Sequence, residues 1–111
     1  MAAKVSSLKP FLLLSTIDSQ KKAKKIATIL VQKKLAACVN IIPKIHSLFK
    51  WHGAVDEAYE LLLVIKTDFR HLKKVEQTIR KHHSYEVPEI IGWPITWGHK
   101  PYLAWLSNSL S

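Results

Sequence analysis

The sequence predicts an α+β fold in which four antiparallel strands form one sheet, and two observations lead to it. The first is a pair of long apolar segments, 36–51 and 54–67, that meet at His52-Gly53 and read as the two arms of a β-hairpin. The second is a pair of segments, 19–34 and 69–83, with apolar residues at the three- and four-residue spacing of amphipathic helices. With a strand before the first helix and another after the second, the order is strand, helix, strand, strand, helix, strand.

Length and composition predict a single small domain. The chain has 111 residues, of which 48% are hydrophobic and 23% charged, an ordinary globular balance. We expect one domain over 11–111 after a flexible lead-in at 1–10. No apolar run approaches the roughly 18 residues of a membrane span, so we expect no membrane partner. The single cysteine, Cys38, cannot form an intrachain disulfide and favours a cytoplasmic location.

The charge is unevenly distributed along the chain. Lys and Arg number 17 against 8 Asp and Glu, a net charge of +9. Six lysines and no acid lie between Ser19 and Lys34, whereas acids gather on the second hairpin arm. Such a balance permits an argument about anionic partners but not about the fold.

The first half of the chain supplies a strand and a helix. Phe11 to Thr16 are predicted as the first strand, and Asp18 or Ser19 as the N-cap of the helix. Its apolar stripe faces the core and its lysines face solvent. That stripe consists of Ala23, Ile26, Ala27 and Leu30.

The hairpin is the organising element of the predicted sheet. Its second arm is apolar on both faces between Tyr59 and Lys66, which is typical of a central strand. Both arms exceed the usual five or six residues, even with a break at Pro43, so the hairpin is expected to project beyond the sheet.

The second half adds a helix, a strand and a final helix. Asp68 is predicted to cap a helix from Phe69 to His83, which ends before Pro88. A strand from Glu89 to Trp97 follows, and Pro94 within it indicates an edge strand or a bulge. The last helix starts near Pro101. The residues predicted to face inward from the two helices are Leu72, Val75, Ile79, Tyr102, Leu103, Leu106 and Leu110.

This order is the ferredoxin-like βαββαβ sandwich, extended by a long hairpin between its second and third strands and by a C-terminal helix. Right-handed crossovers place the first two helices on one face of the sheet. The other face would be left bare although it is apolar, so we expect an obligate homo-oligomer.

Four segments of the sequence strongly resemble the CutA family of divalent-cation tolerance proteins: KLAACVNIIP, SLFKWHGAVDEAYELLLVIKT, HHSYEVPEII and PYLAWL. The resemblance covers nearly the whole chain from Phe11 to Leu110. It implies a ferredoxin-like subunit in a tight trimer similar to PII signalling proteins, with a role in tolerance of copper and other divalent metals. It implies no organic cofactor.

The resemblance also implies a set of metal ligands. His82 and His83 match the histidine pair that is proposed to bind copper in bacterial members, and Cys38 is a further candidate thiolate. Ser15 stands where the bacterial cysteine would be, and a hydroxyl is a poor ligand for Cu(I), whereas imidazoles suit Cu(II) and Zn(II). Without the family, a histidine at a helix end and a buried cysteine are the simpler interpretations.

A polar cleft between subunits is the second predicted site. Charged groups that flank apolar strands must reach water, pair with each other or line a cavity. The alternative is that they are strand ends at the surface, with the aromatic rings as core and interface anchors. The predicted cleft residues are Asn40, Trp51, Glu60, Lys66, Tyr85, Glu89, Tyr102 and Trp105.

Three functions follow from these patterns. The first is a trimeric binding or regulatory protein in divalent-metal tolerance, with weak affinity for copper or another divalent cation. The second is a PII-like sensor of a small ligand in the cleft. The third is a basic nucleic-acid-associated protein, against which the RNP1 pattern is absent and LLLVI stands in its place. No P-loop, dinucleotide turn, nucleophile elbow or HExxH motif occurs, so we expect no enzyme.

Overall fold

The computed structural model describes residues 9–111. Positions 1–8 of the lead-in predicted for 1–10 therefore lie outside the described residues. The first strand begins at Pro10. The strands are β1 (Pro10–Ile17), β2 (Cys38–Trp51), β3 (Ala54–Asp68) and β4 (Ile91–Pro94). The helices are α1 (Gln20–Gln32), α2 (Leu72–His82) and α3 (Lys100–Leu110), with a 3-10 turn (Phe69–His71) before α2.

The four strands form one antiparallel sheet in the order β2-β3-β1-β4. This is the ferredoxin-like arrangement, and the prediction that the second hairpin arm is central is confirmed, because β3 pairs with both β1 and β2. Ile65 of β3 lies between Leu13 and Val39 of its two neighbours. Side chains alternate across a strand, so these three lie on one face of the sheet.

Helices α1 and α2 pack against that face and enclose the main core. Ser19 caps α1, since its side chain accepts a hydrogen bond of 3.1 Å from the backbone N–H of Lys22. The predicted inward stripes are confirmed, with Leu72 and Ala27 only partly buried. The fully buried helical residues of this core are Ala23, Ile26, Leu30, Val75 and Ile79.

The opposite face of the sheet is covered only at one end. There Leu106 and Leu110 of α3 pack with Ala37 in a second, smaller cluster. The remainder is apolar and is left uncovered by residues 9–111: Trp93 is 48% exposed and Ile91 is 55% exposed. The half-buried side chains that continue this face are Leu12, Leu14, Leu62 and Val64. The predicted bare face is thus present, apart from the part beneath α3.

The β2-β3 hairpin projects from the sheet as expected. The described chain measures 53 × 25 × 23 Å, and its radius of gyration of 15.1 Å exceeds the roughly 13 Å of a compact domain of this size. Pairing shifts between Ile42 and Ile45, so the break predicted at Pro43 is a bulge. Both turn residues, His52 and Gly53, have positive φ, which suits a tight hairpin turn.

Two predicted elements differ in extent from the observed ones. The fourth strand covers Ile91–Pro94 and is shorter than the predicted 89–97. After Pro94 the Ile95 N–H still donates to the carbonyl of Pro10, but β1 begins at that residue and extends no further along β4. It lies at an edge of the described sheet, as expected. The first turn of the second helix is a 3-10 turn capped by Asp68, and α2 ends at His82. No helix within 9–111 is long and apolar enough to span a membrane.

Candidate functional site

A buried carboxylate and a tyrosine are paired near the base of the hairpin. Glu60 lies on β3 beside the bulge and is only 8% exposed. The hydroxyl of Tyr85 donates a hydrogen bond of 2.7 Å to Oε2 of Glu60. Burial raises the pKa of Tyr85, and the hydrogen bond and negative charge of Glu60 raise it further. The tyrosine is therefore a neutral donor, and it ties the segment between α2 and β4 to the sheet.

His83 fastens the same segment to β1. Its Nε2 is 2.7 Å from the carbonyl oxygen of Thr16, and its Nδ1 is 2.9 Å from the backbone N–H of Tyr85. A carbonyl only accepts and an N–H only donates, so Nε2 carries the proton and Nδ1 does not. Both ring nitrogens of His83 are thus occupied, and in this arrangement it has no lone pair for a metal.

His82 is in a different situation at the last residue of α2. It is half-buried, and its ring makes no side-chain hydrogen bond with the described part of the chain. Desolvation lowers its pKa, as do the positive charges of Lys25, Lys81 and Lys33. A neutral imidazole is able to ligate a metal, but the same three lysines repel a cation.

Cys38 lies far from this histidine pair within one chain. It is opposite Lys66, which in turn is opposite Leu12 of β1, whereas His83 contacts β1 at Thr16. Four residues along a strand separate those levels by about 13 Å. Among residues 9–111 no three His, Cys, Asp or Glu side chains are grouped so that they could hold a metal ion. The three predicted ligands are therefore not brought together by a single subunit.

Ser15, at the position of the bacterial cysteine, points into the helix-covered core. It is fully buried, and its Oγ finds no hydrogen-bond partner among the described protein atoms. Strand alternation places it on the same face as Leu13 and Ile17. The position is therefore closed to solvent within the subunit.

A second group of predicted cleft residues lies on the other sheet face beneath α3. The ammonium of Lys66 is 5.8 Å from the ring centre of Tyr102, whose ring is 5.3 Å from that of Trp105. No carboxylate of residues 9–111 lies within 4.0 Å of Lys66. Asn40, on the same face by its pairing, is exposed and has the Cys38 thiol 4.0 Å from its Oδ1. This group combines a free cation with aromatic walls.

The remaining predicted cleft residues stand apart in the single chain. Trp51 is 61% exposed at the hairpin tip, where its ring packs edge-on against His52 at 4.8 Å. Glu89 is exposed on the segment before β4. The predicted cleft residues are therefore divided among the Glu60–Tyr85 pair, the Lys66 group, the hairpin tip and Glu89 before β4.

Two contacts at this site were not anticipated from the sequence. The carbonyl of Thr16 is a backbone atom, so no residue type marks it as the partner of His83. The lysines around His82 are visible as a charge run, but only the packing of α1 against α2 brings Lys25 and Lys33 to the histidine.

Comparisons with known proteins agree on one family. Residues 11–109 match the family model described as CutA1 divalent ion tolerance protein. The chain is 43% identical to "Divalent-cation tolerance protein CutA" of Thermus thermophilus over 86% of this chain and 93% of that protein. It is 46% identical to "Protein CutA, chloroplastic" of Arabidopsis thaliana over 85% of this chain and 52% of that protein. The chain thus spans about half the length of the plant relative.

Solved structures give the same result. The structure of the divalent cation tolerance protein CutA1 from Thermus thermophilus superposes with a TM-score of 0.89 at 40% identity, covering 92% of this chain and 99% of that one. CutA1 from Oryza sativa gives 0.90 at 38% identity, covering 94% and 95%. The protein from Archaeoglobus fulgidus, named a periplasmic divalent cation tolerance protein, gives 0.88 at 36% identity, covering 92% and 99%.

Proposed function

Because the chain belongs to the CutA1 divalent ion tolerance family, we propose that it is one subunit of a homotrimeric divalent-cation tolerance protein. In this proposal it is a binding or regulatory protein rather than an enzyme, and it takes copper or another divalent cation weakly, without an organic cofactor. The single observation that carries the proposal is the match over residues 11–109. The relatives and the solved structures are named as tolerance proteins, not as enzymes.

The uncovered sheet face supports the assembly. It is apolar, it continues along the four strands, and α3 covers only one end of it. A contiguous exposed apolar face of this kind marks a protein interface, because burial of apolar surface is the main driving force of association. The apolar hairpin extends the available contact surface. Copies of the same chain are the occupants that the proposal assigns to this face.

The histidines support weak metal binding. The pKa of His82 is lowered and its ring makes no side-chain hydrogen bond within residues 9–111, whereas His83 must give up the hydrogen bond that its Nδ1 accepts from Tyr85 before it can ligate through that atom. No three-ligand group exists within the described part of one subunit, so a complete ligand set requires a neighbouring copy or water. Imidazole ligands suit Cu(II) and Zn(II) rather than Cu(I). Cys38 enters such a set only from another copy.

A second candidate function, the PII-like sensor of a small ligand, is favoured by Lys66. Its ammonium has no carboxylate partner within the described chain and lies beside the Tyr102 and Trp105 rings on the uncovered face. A cation with aromatic walls suits a planar anion. In the trimer, this group and the Glu60–Tyr85 pair would line a shared cleft with Asn40, Trp51 and Glu89.

The compartment in this proposal is the cytoplasm, where a single free thiol such as Cys38 stays reduced. Relatives with chloroplastic and periplasmic names exist, so fractionation of the native cell tests this part separately.

Isothermal titration of Cu(II) and Zn(II) tests the metal site. The comparison is between the wild-type protein, the His82→Ala variant and the His52→Ala variant, whose histidine lies at the exposed hairpin tip. We expect His82→Ala to weaken binding at least tenfold, and His52→Ala to leave it unchanged. Equal affinities in all three proteins would remove the site. The sensor function is tested in the same way, by isothermal titration of small carboxylates and nucleotides into the wild-type protein and into a Lys66→Gln variant.

A further inference from the structure

The outer surface of α1 and α2 carries the net positive charge of the protein. We define the helical layer as residues 20–34 and 69–83. It contains 11 of the 17 Lys and Arg residues and a single acid, Glu76. The rest of the chain holds six Lys and Arg against seven Asp and Glu. The net charge of the protein is thus a property of one face, which lies opposite the uncovered side of the sheet.

These cations are exposed and almost all of them lack anionic partners. Every Lys and Arg of the helical layer is exposed. Three ion pairs occur among residues 9–111, and the only one that uses a Lys or Arg of this layer is between Arg70 and Asp68. The lysines at the start of α1 also oppose the helix dipole, which favours negative charge there. An external anion would relieve both unfavourable arrangements.

The lysines of the two helices form one continuous surface. Lys25 and Lys33 of the first segment and Lys81 of the second all act on His82, so the charges of both helices converge there. A shallow depression on the outer side of α1 is lined by Lys21, Lys24, Lys25, Thr28 and Ile29. The three cations around this depression are suitable donors for a phosphate group.

We propose that the helical layer binds the phosphate backbone of nucleic acid without sequence preference. A length of duplex equal to α1, about 20 Å, carries roughly 12 phosphates, a charge density that matches this layer. Among the described residues of the helical layer the exposed large apolar side chains are Val31 and Phe69, and the single Phe69 ring, beside Lys9, is too little to stack successive bases. Backbone contacts without base contacts give affinity but no sequence readout.

The same scarcity of apolar side chains disfavours a membrane surface as the partner. Peripheral helices bind membranes by inserting an apolar face with large aromatic and aliphatic residues below the headgroups. Here the apolar stripes of α1 and α2 are buried in the core of the subunit. Only the charged side is available, and a trimer formed through the opposite sheet face would leave it free.

Fluorescence anisotropy with a labelled DNA duplex tests the proposal on the full chain. The test variant is Lys21→Gln, Lys24→Gln, Lys25→Gln. The matched control is Lys44→Gln, Lys50→Gln, Lys100→Gln, which removes the same charge from exposed sites outside the layer. We expect wild-type binding at low salt that weakens steeply with salt. The test variant should bind at least tenfold more weakly, with a log–log salt slope smaller by about 2 to 3, since each lost phosphate contact removes about 0.9.

Several results would overturn the proposal. They are an absence of binding at about 50 mM salt, an equal loss in both variants, and binding to phosphatidylserine vesicles in place of DNA. Circular dichroism of each variant checks the fold. If the test variant does not fold, Lys73→Gln, Lys74→Gln on α2 replaces it, with Lys50→Gln, Lys100→Gln as its control and the same outcomes.

Discussion

The hydroxyl of Tyr85 donates a 2.7 Å hydrogen bond to Glu60, which is 25 residues away in the sequence and 8% exposed. This contact joins the irregular segment after α2 to the central strand of the sheet. It gives the buried carboxylate its one protein side-chain hydrogen bond within the described chain. The stability of the segment and the tolerance of a buried charge therefore depend on the same bond.

Removal of the Tyr85 hydroxyl should destabilise the protein by leaving the Glu60 carboxylate without this donor. We expect Tyr85→Phe to lower the free energy of unfolding by about 2 kcal/mol, because a buried carboxylate loses its donor. Glu60→Gln in the same background should recover part of the loss, since the buried charge is then absent. Urea unfolding of both single variants and the double variant, at one protein concentration, measures the coupling. Additive losses would show that the two groups do not interact in solution.

The two adjacent histidines should differ in their structural roles. His83→Ala removes two hydrogen bonds and should destabilise the protein by about 2 kcal/mol, whereas His82→Ala should change stability by less than about 0.5 kcal/mol. Hydrogen exchange by mass spectrometry should show faster exchange at the Tyr85 amide in His83→Ala only. Equal stability and exchange in both variants would contradict the assigned contacts of His83.

Replacement of Ser15 by alanine should stabilise the folded protein. The Ser15 hydroxyl is fully buried without a partner among the described protein atoms, so Ser15→Ala should raise the free energy of unfolding by about 1 kcal/mol. Ser47→Ala on β2, at a half-buried serine, serves as a control and should not stabilise, because alanine has a low strand propensity. Thermal unfolding of the three proteins is the measurement. A destabilised Ser15→Ala variant would mean that the hydroxyl is bonded in solution.

Asp68 should make stability fall in acid. Burial raises its pKa, but the hydrogen bonds and charges of His71 and Arg70 outweigh burial, and the net pKa lies below 3.8. Because the folded-state pKa is below the unfolded value, the unfolded chain binds more protons in acid. The stabilising contribution of the Asp68 carboxylate is thus complete above about pH 5, and it is lost as the pH falls through the pKa of Asp68 in the folded protein.

Urea unfolding between about pH 6 and pH 3 measures this loss. Asp68→Asn should reduce the pH dependence, whereas Asp56→Asn, at an exposed hairpin position, should leave it unchanged. An unchanged pH dependence in Asp68→Asn would place the titrating group elsewhere.

Most of the fold follows from patterns that are local in the sequence. The inward stripes of α1 and α2 follow from their spacing, and the central position of β3 follows from its two apolar faces. The turn at His52-Gly53 and the bulge at Pro43 follow from residue chemistry. The strand after α2 was predicted too long, because the apolar residues after Pro94 resemble a strand although the neighbouring strand β1 begins at Pro10 and extends no further along them.

The candidate site was predictable as a set of residues but not as a geometry. Glu60 and Tyr85 were both named, yet nothing local pairs them. His82 and His83 look equivalent in the sequence. In the structure the ring of His83 donates to a backbone carbonyl, whereas lysines lie around the ring of His82. The cleft residues occupy four separate places in one subunit, so a joint role would require neighbouring copies.

The central claim is the proposal that other copies of the chain cover the exposed sheet face, and sedimentation equilibrium of the purified chain at micromolar concentration tests it most directly. We expect a single species with three times the 12.7 kDa subunit mass, and no folded monomer on dilution. A stable 12.7 kDa species with native circular dichroism would contradict the account, since the apolar face would then be tolerated in water.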